Sequence, residues 1–593
     1  MDRNTVIGFV LIGIVLMVWM WLNAPPPQQQ TIKADSTTTH APRPDSSTQV
    51  PARPSQKESP RDTLGKYFSG LIHGEEKTVL IQTNLYRAEI STKGGNVKNW
   101  TLTGYKTWDQ HPMNMISGTE GDFNLIFSTG DGKLIDTKNL FFISNISNRQ
   151  ELTVETKDSL VIDFILKISE KAKIVKSYIF YGDRYSTDVT YRFEGVDSII
   201  SNYEYQITWE TGLRYAEHNS IDESNHAKAA AFSGGEITNV DASSFSEPIK
   251  QNISGRVNWV AVRNKYFAVA VIPREKESQG AYLEGVRKKM PDEGALEHYS
   301  VALRMPFRGQ RIESDRFTLF LGPLDFDIVK QYNVQLDDIM SLGAAWIIRP
   351  ISEYFIIPLF KLLRLVFSNY GIVLIVFSLI VKVALYPLTK TSMKSMRKMQ
   401  ALQPMIEELR AKHKEDPQKM NQQTMRLYKE YGVNPAGGCL PLLLQLPILY
   451  ALWAVFSATI ELRQASFVWW IHDLSIPDVI TKIPFRLPIF NVDEISGLAL
   501  MMGITTFIQQ KMTVKDPRQK MMVWFMPIML TLLFNSFPAG LNLYYFSFNL
   551  LSIVQQVWFN KQHADEPLRK VEEKKKSGGI IAKLSSNFPK MKK

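Results

Sequence analysis

The sequence of 593 residues contains a single cysteine, Cys439, so no disulfide can form within the chain. It also lacks the His, Cys, Asp and Glu spacing typical of metal sites and the glycine-rich loop that binds phosphate. We therefore expect no catalytic residue, no metal and no other cofactor. The net charge of +11 excludes little, because it suits both nucleic-acid binding and membrane association.

Carboxylates are missing from the interior of the long apolar runs in the last third of the chain. Runs of this length without acidic residues predict membrane-spanning helices. The runs are 370–388, 439–459, 495–512, 521–537 and 541–560. Together with the uncharged run TVIGFVLIGIVLMVWMWL at 5–22, they give six predicted spans.

Positive charge is concentrated in the segments that flank these runs. Residues 389–435 contain ten Lys or Arg and five Asp or Glu, and residues 511–520 and 561–593 are also basic. Because cytoplasmic loops of membrane proteins are enriched in Lys and Arg, all three segments are predicted to be cytoplasmic. The distribution favours a multi-pass protein of the inner membrane and gives no reason to expect DNA binding.

Composition divides the rest of the chain into segments. A stretch rich in Pro, Gln, Ser and Thr follows the first apolar run and cannot form a core. A cleaved signal peptide is the alternative for that run, but the small residues of a cleavage site are missing. Alternating β-branched and aromatic residues then predict a large antiparallel β-sandwich in the periplasm. The predicted segments are an anchor at 1–23, a disordered linker at 24–70, the β-sandwich at 71–325, an interfacial amphipathic helix region at 326–369, a five-span core at 370–560 and a basic cytoplasmic tail at 561–593.

Polar residues inside the predicted spans form stripes at helical spacing. Ser378 and Lys382 are four residues apart and share one helix face. A lysine at mid-membrane costs roughly 2.5–3.5 kcal/mol, so it needs a hydrated neighbourhood or must snorkel toward the cytoplasm. The polar stripes either join helices by hydrogen bonds or line a positively charged, hydrated groove open to the cytoplasm. The groove candidates are Lys382, Ser378, Gln445, Thr505, Gln509, Asn535, Asn542, Tyr545 and Asn549.

The basic segment 389–435 is predicted to be a helical hairpin that projects into the cytoplasm. Asp416 followed by Pro417 is a typical start for its second helix. Methionines at helical spacing form a flexible apolar face, which either adapts to apolar clients or packs within the hairpin. They are Met393, Met396, Met399 and Met405.

The chain resembles the YidC family of bacterial membrane insertases, in its Gram-negative form. The resemblance implies an insertase and chaperone, not an enzyme, that places nascent membrane proteins into the inner membrane, alone or with the Sec translocon. It also implies contacts with the ribosome, targeting factors and membrane lipids. The segments that carry it are ALYPLTKTSMKSMRKMQALQP at 384–404, NPAGGCLPLLLQLPILYALW at 434–453, ELRQASFVWWIHDLS at 461–475 and FPAGLNLYYFSFNLLSIVQQ at 537–556.

The resemblance assigns roles to four groove residues. Lys382 matches the groove cation, Ser378 a polar residue of the second span, and Tyr544 and Tyr545 the paired tyrosines of the last span. The family usually has arginine at the groove cation, and lysine lacks its planar fork of donors. We expect positive charge, and not bidentate binding, to be what the groove needs.

The β-domain is similar to sugar mutarotases, which would require acid and base residues in a pocket. No motif places its histidines in one, so a structural or surface role is favoured for each. They are His73, His111, His218, His226 and His298.

Two other functions stay open from the sequence. A coupled small-solute transporter would use Lys382 as its site, although neither an internal repeat nor a deep carboxylate supports it. An anchored carbohydrate-processing protein would need only one span, so the five later runs count against it.

Overall fold

The structure is a computed structural model that describes residues 60–245, 247–290, 294–413, 416–434, 440–487, 492–514, 520–563 and 570. Within it, Glu58–Lys593 form one unit. The predicted anchor, most of the predicted linker and most of the basic tail lie outside the described residues.

The described chain begins with helix α1 (Pro60–Phe68) and a 3-10 turn (Ser69–Ile72). Phe68 is fully buried, and its ring packs edge-on against Phe127 with the ring centres 5.5 Å apart. Leu71 and Ile72 pack against the same core. The prediction of a disordered linker up to residue 70 is therefore wrong at its end, because these apolar side chains are buried on the β-domain.

Strands lie between Thr78 and Pro323 and form three sheets, so the β-rich character predicted for this region is confirmed. The five-stranded sheet has the order β4 (Pro112–Asn114), β3 (Val97–Lys106), β2 (Tyr86–Ser91), β1 (Thr78–Gln82) and β7 (Gln150–Thr153). The eight-stranded sheet has the order β13 (Glu236–Val240), β12 (Lys228–Ser233), β15 (Val257–Arg263), β16 (Phe267–Pro273), β19 (Ile312–Pro323), β10 (Ser186–Glu194), β9 (Lys173–Tyr181) and β8 (Ser159–Lys167). The six-stranded sheet has the order β14 (Ile249–Ser254), β17 (Gly280–Lys289), β18 (Ala295–Pro306), β11 (Ile200–Trp209), β5 (Asn124–Thr129) and β6 (Leu134–Asp136).

The two larger sheets share one core, because β12 and β15 contact β17 and β18. Trp209, Trp259 and Tyr299 are buried in it. One pair departs from the predicted antiparallel pattern: β7 runs parallel to β1. It covers an edge of β1 that would otherwise expose unpaired backbone groups. A short helix, α2 (Ser220–Ser224), lies between β11 and β12.

After β19 the described chain is mainly helical, apart from the hairpin of β20 (Val479–Leu487) and β21 (Val492–Ser496). The helices are α3 (Phe326–Lys330), α4 (Ile348–Ile351), α5 (Ile357–Arg364), α6 (Tyr370–Ala384), α7 (Tyr386–Ala401), α8 (Gln403–Lys412), α9 (Pro417–Glu430), α10 (Leu440–Ala458), α11 (Gly497–Thr513), α12 (Lys520–Phe534) and α13 (Ala539–Gln562).

The predicted interfacial region contains α4 and α5, joined through a π-helical turn (Ser352–Ile356). Two of its cations form ion pairs, Arg349 with Asp337 at 2.9 Å and Lys361 with Asp327 at 2.5 Å. Large apolar side chains beside these pairs are exposed. This distribution agrees with an amphipathic segment. The exposed side chains are Trp346, Tyr354, Leu362, Leu365 and Val366.

Helices α6, α10, α11, α12 and α13 occupy the five predicted spans of the last third. Among the described residues, none of the helices taken singly is long and apolar enough to cross a membrane. Only the pair α6 and α7, bent by 65° as in a broken span or a re-entrant loop, meets that length and composition. The polar stripe of α13 lowers the hydropathy of that 24-residue helix. The predicted span 370–388 ends early, at Ala384, because Pro387 lies in the first turn of α7 and cannot continue α6.

Candidate functional site in the helical region

Lys382 is buried where α6 faces α13, with 9% of its surface exposed. Its Nζ donates a hydrogen bond to Ser552 Oγ at 2.6 Å and lies 4.5 Å from the centre of the Phe548 ring. The Ser552 hydroxyl in turn donates to the Phe548 carbonyl at 2.7 Å. No described carboxylate lies within ion-pair distance of the Lys382 ammonium. A hydroxyl and a ring face hold the ammonium without cancelling its charge.

Two more hydrogen bonds join α13 to its neighbours on either side of this contact. Asn549 Nδ2 donates to Thr506 Oγ1 on α11 at 2.8 Å. One turn beyond Ser552, Gln555 Nε2 donates to Thr389 Oγ1 on α7 at 3.2 Å. We call the set Lys382, Ser552, Asn549 and Thr506 the lysine site. It contains one cation and otherwise neutral polar groups, so it is a positively charged cluster where three helices meet.

Two of the predicted groove residues make hydrogen bonds within their own helices. Ser378 is fully buried, and its Oγ donates to the Ile375 carbonyl at 2.6 Å. Thr505 Oγ1 donates to the Met502 carbonyl at 2.9 Å. Neither hydroxyl is therefore used to hold the Lys382 ammonium.

Gln445 on α10 is buried and Gln509 on α11 is partly buried. The two tyrosines of α13 face different neighbours. Tyr544 is fully buried and its ring lies 5.9 Å from that of Phe377 on α6, whereas Tyr545 lies 5.4 Å from Phe534 on α12. The Tyr544 hydroxyl is buried and has no hydrogen-bond partner among the described residues.

Asn535 and Asn542 lie away from the lysine site. Asn542 and Ser552 are separated by about 15 Å along α13, at 1.5 Å per residue. Asn542 Nδ2 donates to the Phe534 carbonyl at 3.1 Å. Asn542 therefore fastens the junction between α12 and α13, whereas Asn535 joins the end of α12 to β21. That these asparagines share one groove with Lys382 stays a prediction.

Asp478 is the centre of the contacts at that end. Its carboxylate accepts hydrogen bonds from Leu498 N at 2.7 Å, from Trp470 Nε1 at 3.0 Å and from the Ser496 hydroxyl. Asn535 accepts from Ser496 N at 2.9 Å. We call Asp478, Ser496, Trp470 and Asn535 the Asp478 network. It fixes the start of α11 against the end of α12.

The loop at 459–478, which leads from α10 to this network, also contacts the β-domain. Arg463 Nε pairs with Glu217 Oε1 at 2.6 Å, and the two side chains are only 3% and 8% exposed. Arg463 Nη2 donates to the Lys106 carbonyl at 2.5 Å. In the same loop, the Leu474 carbonyl accepts a hydrogen bond from Gly540 N at 2.8 Å. The loop therefore connects the β-domain to α13.

The predicted helical hairpin is built from α7, α8 and α9. Asp416 caps α9 by accepting a bond from Lys419 N at 2.9 Å. Met393 is buried and Met399 packs against a small core, whereas Met405 is exposed and Met396 is partly buried. The methionines therefore do not form one continuous exposed face. The small core consists of Leu402, Ile406, Tyr431 and Val433.

The histidines of the β-domain have separate surroundings. His226 Nδ1 lies 2.8 Å from the Asp222 carbonyl, and burial lowers the pKa of His226 to about 4. His218 packs edge-on against Trp108 at 4.5 Å. His73 and His298 are exposed, as is His111.

Sequence reasoning did not single out four important residues. Ser552 lies on the polar stripe of α13 and Thr506 on that of α11, but helical spacing alone does not say which stripe faces Lys382. Arg463 and Asp478 are charged residues in an apolar loop, a signal for buried partners. The partner of Arg463 lies 246 residues away in the sequence.

Comparison with known proteins gives matches along most of the chain. Residues 362–566 match the family model of the 60Kd inner membrane protein, and residues 78–354 match that of the YidC periplasmic domain. Membrane protein insertase YidC of Chlorobaculum parvum is 38% identical over 580 residues, covering 95% of this chain and 96% of the relative. That of Chlorobaculum tepidum is 38% identical over 572 residues, with coverages of 95% and 96%. A crystal structure of an active YidC insertase with its first transmembrane domain resolved is 19% identical, has a TM-score of 0.34 and covers 84% of this chain and 96% of its own. The chain therefore belongs to the YidC family of membrane protein insertases.

Proposed function

We propose that this chain inserts hydrophobic segments of nascent membrane proteins into the inner membrane and assists their folding there. The observation that carries the proposal is Lys382, a buried ammonium held between α6 and α13 by the Ser552 hydroxyl and the Phe548 ring. Because neither group neutralises it, the charge is available to a polar part of a client segment. Contacts to a charged group are stronger than those between neutral groups.

Hydration of the lysine site is part of the proposal. An unneutralised ammonium at membrane depth is tolerated where water can reach it. The Thr389–Gln555 contact continues the polar line toward α7 and the cytoplasmic hairpin. Water along this line would shorten the apolar path that a polar client segment must cross.

The arrangement of spans follows from the same helices. We infer that α6, α10, α11, α12 and α13 cross the membrane, together with an anchor at 5–22. The basic segments 389–435, 511–520 and 561–593 then lie in the cytoplasm. The β-domain, a two-sheet sandwich in this proposal, lies in the periplasm with the loop at 459–478.

The proposed partners meet different regions. The ribosome and targeting factors would contact the basic hairpin and tail, and anionic lipids would contact the same lysines. The Sec translocon or client peptides would contact the β-domain. Insertion in this scheme needs only non-covalent contacts, so the protein acts without enzymatic chemistry.

Reconstitution tests the proposal against a transporter. The purified full chain in phospholipid vesicles is expected to insert a short two-span test protein, as measured by protease protection of its translocated loop. Empty vesicles are the control. Failure to insert the test protein, with uptake of a small solute by the same vesicles, would contradict the proposal and favour transport.

A further inference from the structure

The β20–β21 hairpin, between α10 and α11, has an apolar surface. Its strands pair antiparallel, with Lys482 opposite Glu494. Phe485 is 61% exposed and Ile480 49% exposed. Trp469, in the loop that precedes the hairpin, stacks on Trp470 at 5.8 Å and is 79% exposed. Each buried Å² of apolar surface is worth about 25 cal/mol. Large side chains this exposed indicate a non-aqueous partner.

The base of the hairpin is fixed at the start of α11. β21 ends at Ser496 and α11 begins at the next residue, Gly497. A Cβ at position 497 would lie 3.0 Å from Ile480 Cγ2 and 3.0 Å from the Trp470 ring, so glycine allows both side chains to approach the helix. The Asp478 network holds the same junction. The hairpin base therefore keeps a constant position relative to α11.

The exposed face of α11 relates this position to the membrane. Leu500, Ile504 and Ile508 are exposed at intervals of four residues, as expected of a lipid-facing stripe. Leu500 is only about 6 Å of helix rise beyond Ser496. Here the inference rests on the proposed function, in which α11 is a span. The hairpin base then lies where α11 leaves the hydrocarbon.

We propose that the β20–β21 hairpin and Trp469 lie in the headgroup region on the periplasmic side of the inner membrane, with phospholipid as their partner. Exposed tryptophan is the residue that favours this depth. A two-stranded sheet has unpaired backbone groups at its edges, which need water and cannot enter the hydrocarbon. The Lys482 ammonium pairs with Glu494 at 2.6 Å across the hairpin, and because its side chain is 78% exposed it can contact lipid phosphate as well. The hairpin thus rests on the membrane at the end of α11.

The test measures the depth of three single nitroxide labels in phospholipid vesicles that contain only the full chain. In a Cys439→Ser background, cysteine is introduced in turn at Phe485 on the hairpin, at Ile504 on α11 and at Ile312 on the β-domain. Ile312 is a matched control, because it is a strand residue that is 64% exposed. The measured quantity is the ratio of the label's collision rate with O2 to its collision rate with a nickel chelate. This ratio is high for a label in lipid and low for a label in water.

The expected ratio at Phe485 is several-fold above that at Ile312 and below that at Ile504. A Trp469→Cys label is expected to give the same order. A ratio at Phe485 equal to that at Ile312 would place the hairpin in water and overturn the inference. Low collision rates with both reagents at Phe485 would also overturn it, since they indicate contact with protein. A water-like ratio at Ile504 would instead overturn the proposed span.

Discussion

The Asp478 network joins α11 to α12, the lysine site joins α6, α11 and α13, and the two differ in how their helices are held. In the first, one carboxylate accepts bonds from a backbone amide and two side chains, and Asn535 adds bonds to Ser496 N and the Glu494 carbonyl. In the second, each described link between two helices is one side-chain hydrogen bond, Lys382 to Ser552 or Asn549 to Thr506. Because the Asp478 network contains more hydrogen bonds, the helices that it joins are harder to separate.

The difference indicates which part of the helical region moves. The Asn549–Thr506 hydrogen bond contributes about 0.5–1.5 kcal/mol and the bond from the Lys382 ammonium about 1.5–3 kcal/mol, so only two polar links add to the apolar packing of α6, α11 and α13 at the lysine site. The loop that contains Asp478 also contacts the β-domain, through the ion pair of Arg463 and Glu217. We infer a helical region that stays closed at the Asp478 network and opens at the lysine site to admit a client.

The largest expected effect comes from the contact between the loop at 459–478 and the β-domain. Arg463→Ala leaves Glu217 buried without its partner, which typically costs about 3–5 kcal/mol. Thermal unfolding of the purified chain, followed by tryptophan fluorescence, should show a clear drop in midpoint. The double variant with Glu217→Ala should lose less than the sum of the two single variants. An unchanged midpoint in Arg463→Ala would show that this contact does not fasten the loop.

The next effect is at the Asp478 network itself. Asp478→Ala removes the acceptor of three buried donors and should cost roughly 2–3 kcal/mol in the same unfolding measurement. Asp473→Ala is the matched control, because Asp473 lies in the same loop and accepts only from Ser475. Equal losses in the two variants would remove the special role given to Asp478.

Charge reversal at the lysine site should act on insertion. Lys382→Glu is expected to lower the insertion rate about tenfold, the equivalent of about 1.4 kcal/mol. Lys382→Arg keeps the charge and should insert at a near-normal rate. The measurement is protease protection of the two-span test protein in vesicles. Equal rates for the two variants would reject a need for positive charge.

The smallest effect on insertion is expected from the hydroxyl that holds Lys382. Ser552→Ala leaves the buried ammonium without its described hydrogen-bond partner and should cost about 1.5–3 kcal/mol of stability. Insertion should persist, because the ammonium stays in place. Ser547→Ala, at another buried serine of α13, is the control and should leave the unfolding midpoint unchanged. A loss of insertion in Ser552→Ala alone would mean that the hydroxyl, and not the charge, contacts clients.

Much of the fold could be predicted from local sequence. Apolar runs located the five helices α6 and α10 to α13, because apolarity over a membrane-length run is a local property. The end of α6 at Ala384 was missed by four residues, since the run continues past Pro387 while the helix axis bends. The helix α1 was not predicted, because its few apolar side chains are buried only against the core of the β-domain, which is distant in the sequence.

The candidate site was predictable only in part. Lys382 was found because a cation inside an apolar run is visible in the sequence. Its partner Ser552 is 170 residues away and was one of several polar residues on the α13 stripe. Which of them faces α6 depends on the rotation of the packed helices.

The most direct measurement places a photoreactive amino acid at Gln555, beside the lysine site, or at Ile495, beside the Asp478 network. Both side chains are partly exposed, so each can carry the probe. Ribosome-bound clients halted during insertion are irradiated, and the cross-linked products are quantified. The account predicts cross-links to the client from position 555 and none from position 495. Equal cross-linking at both positions, or none at 555, would contradict it.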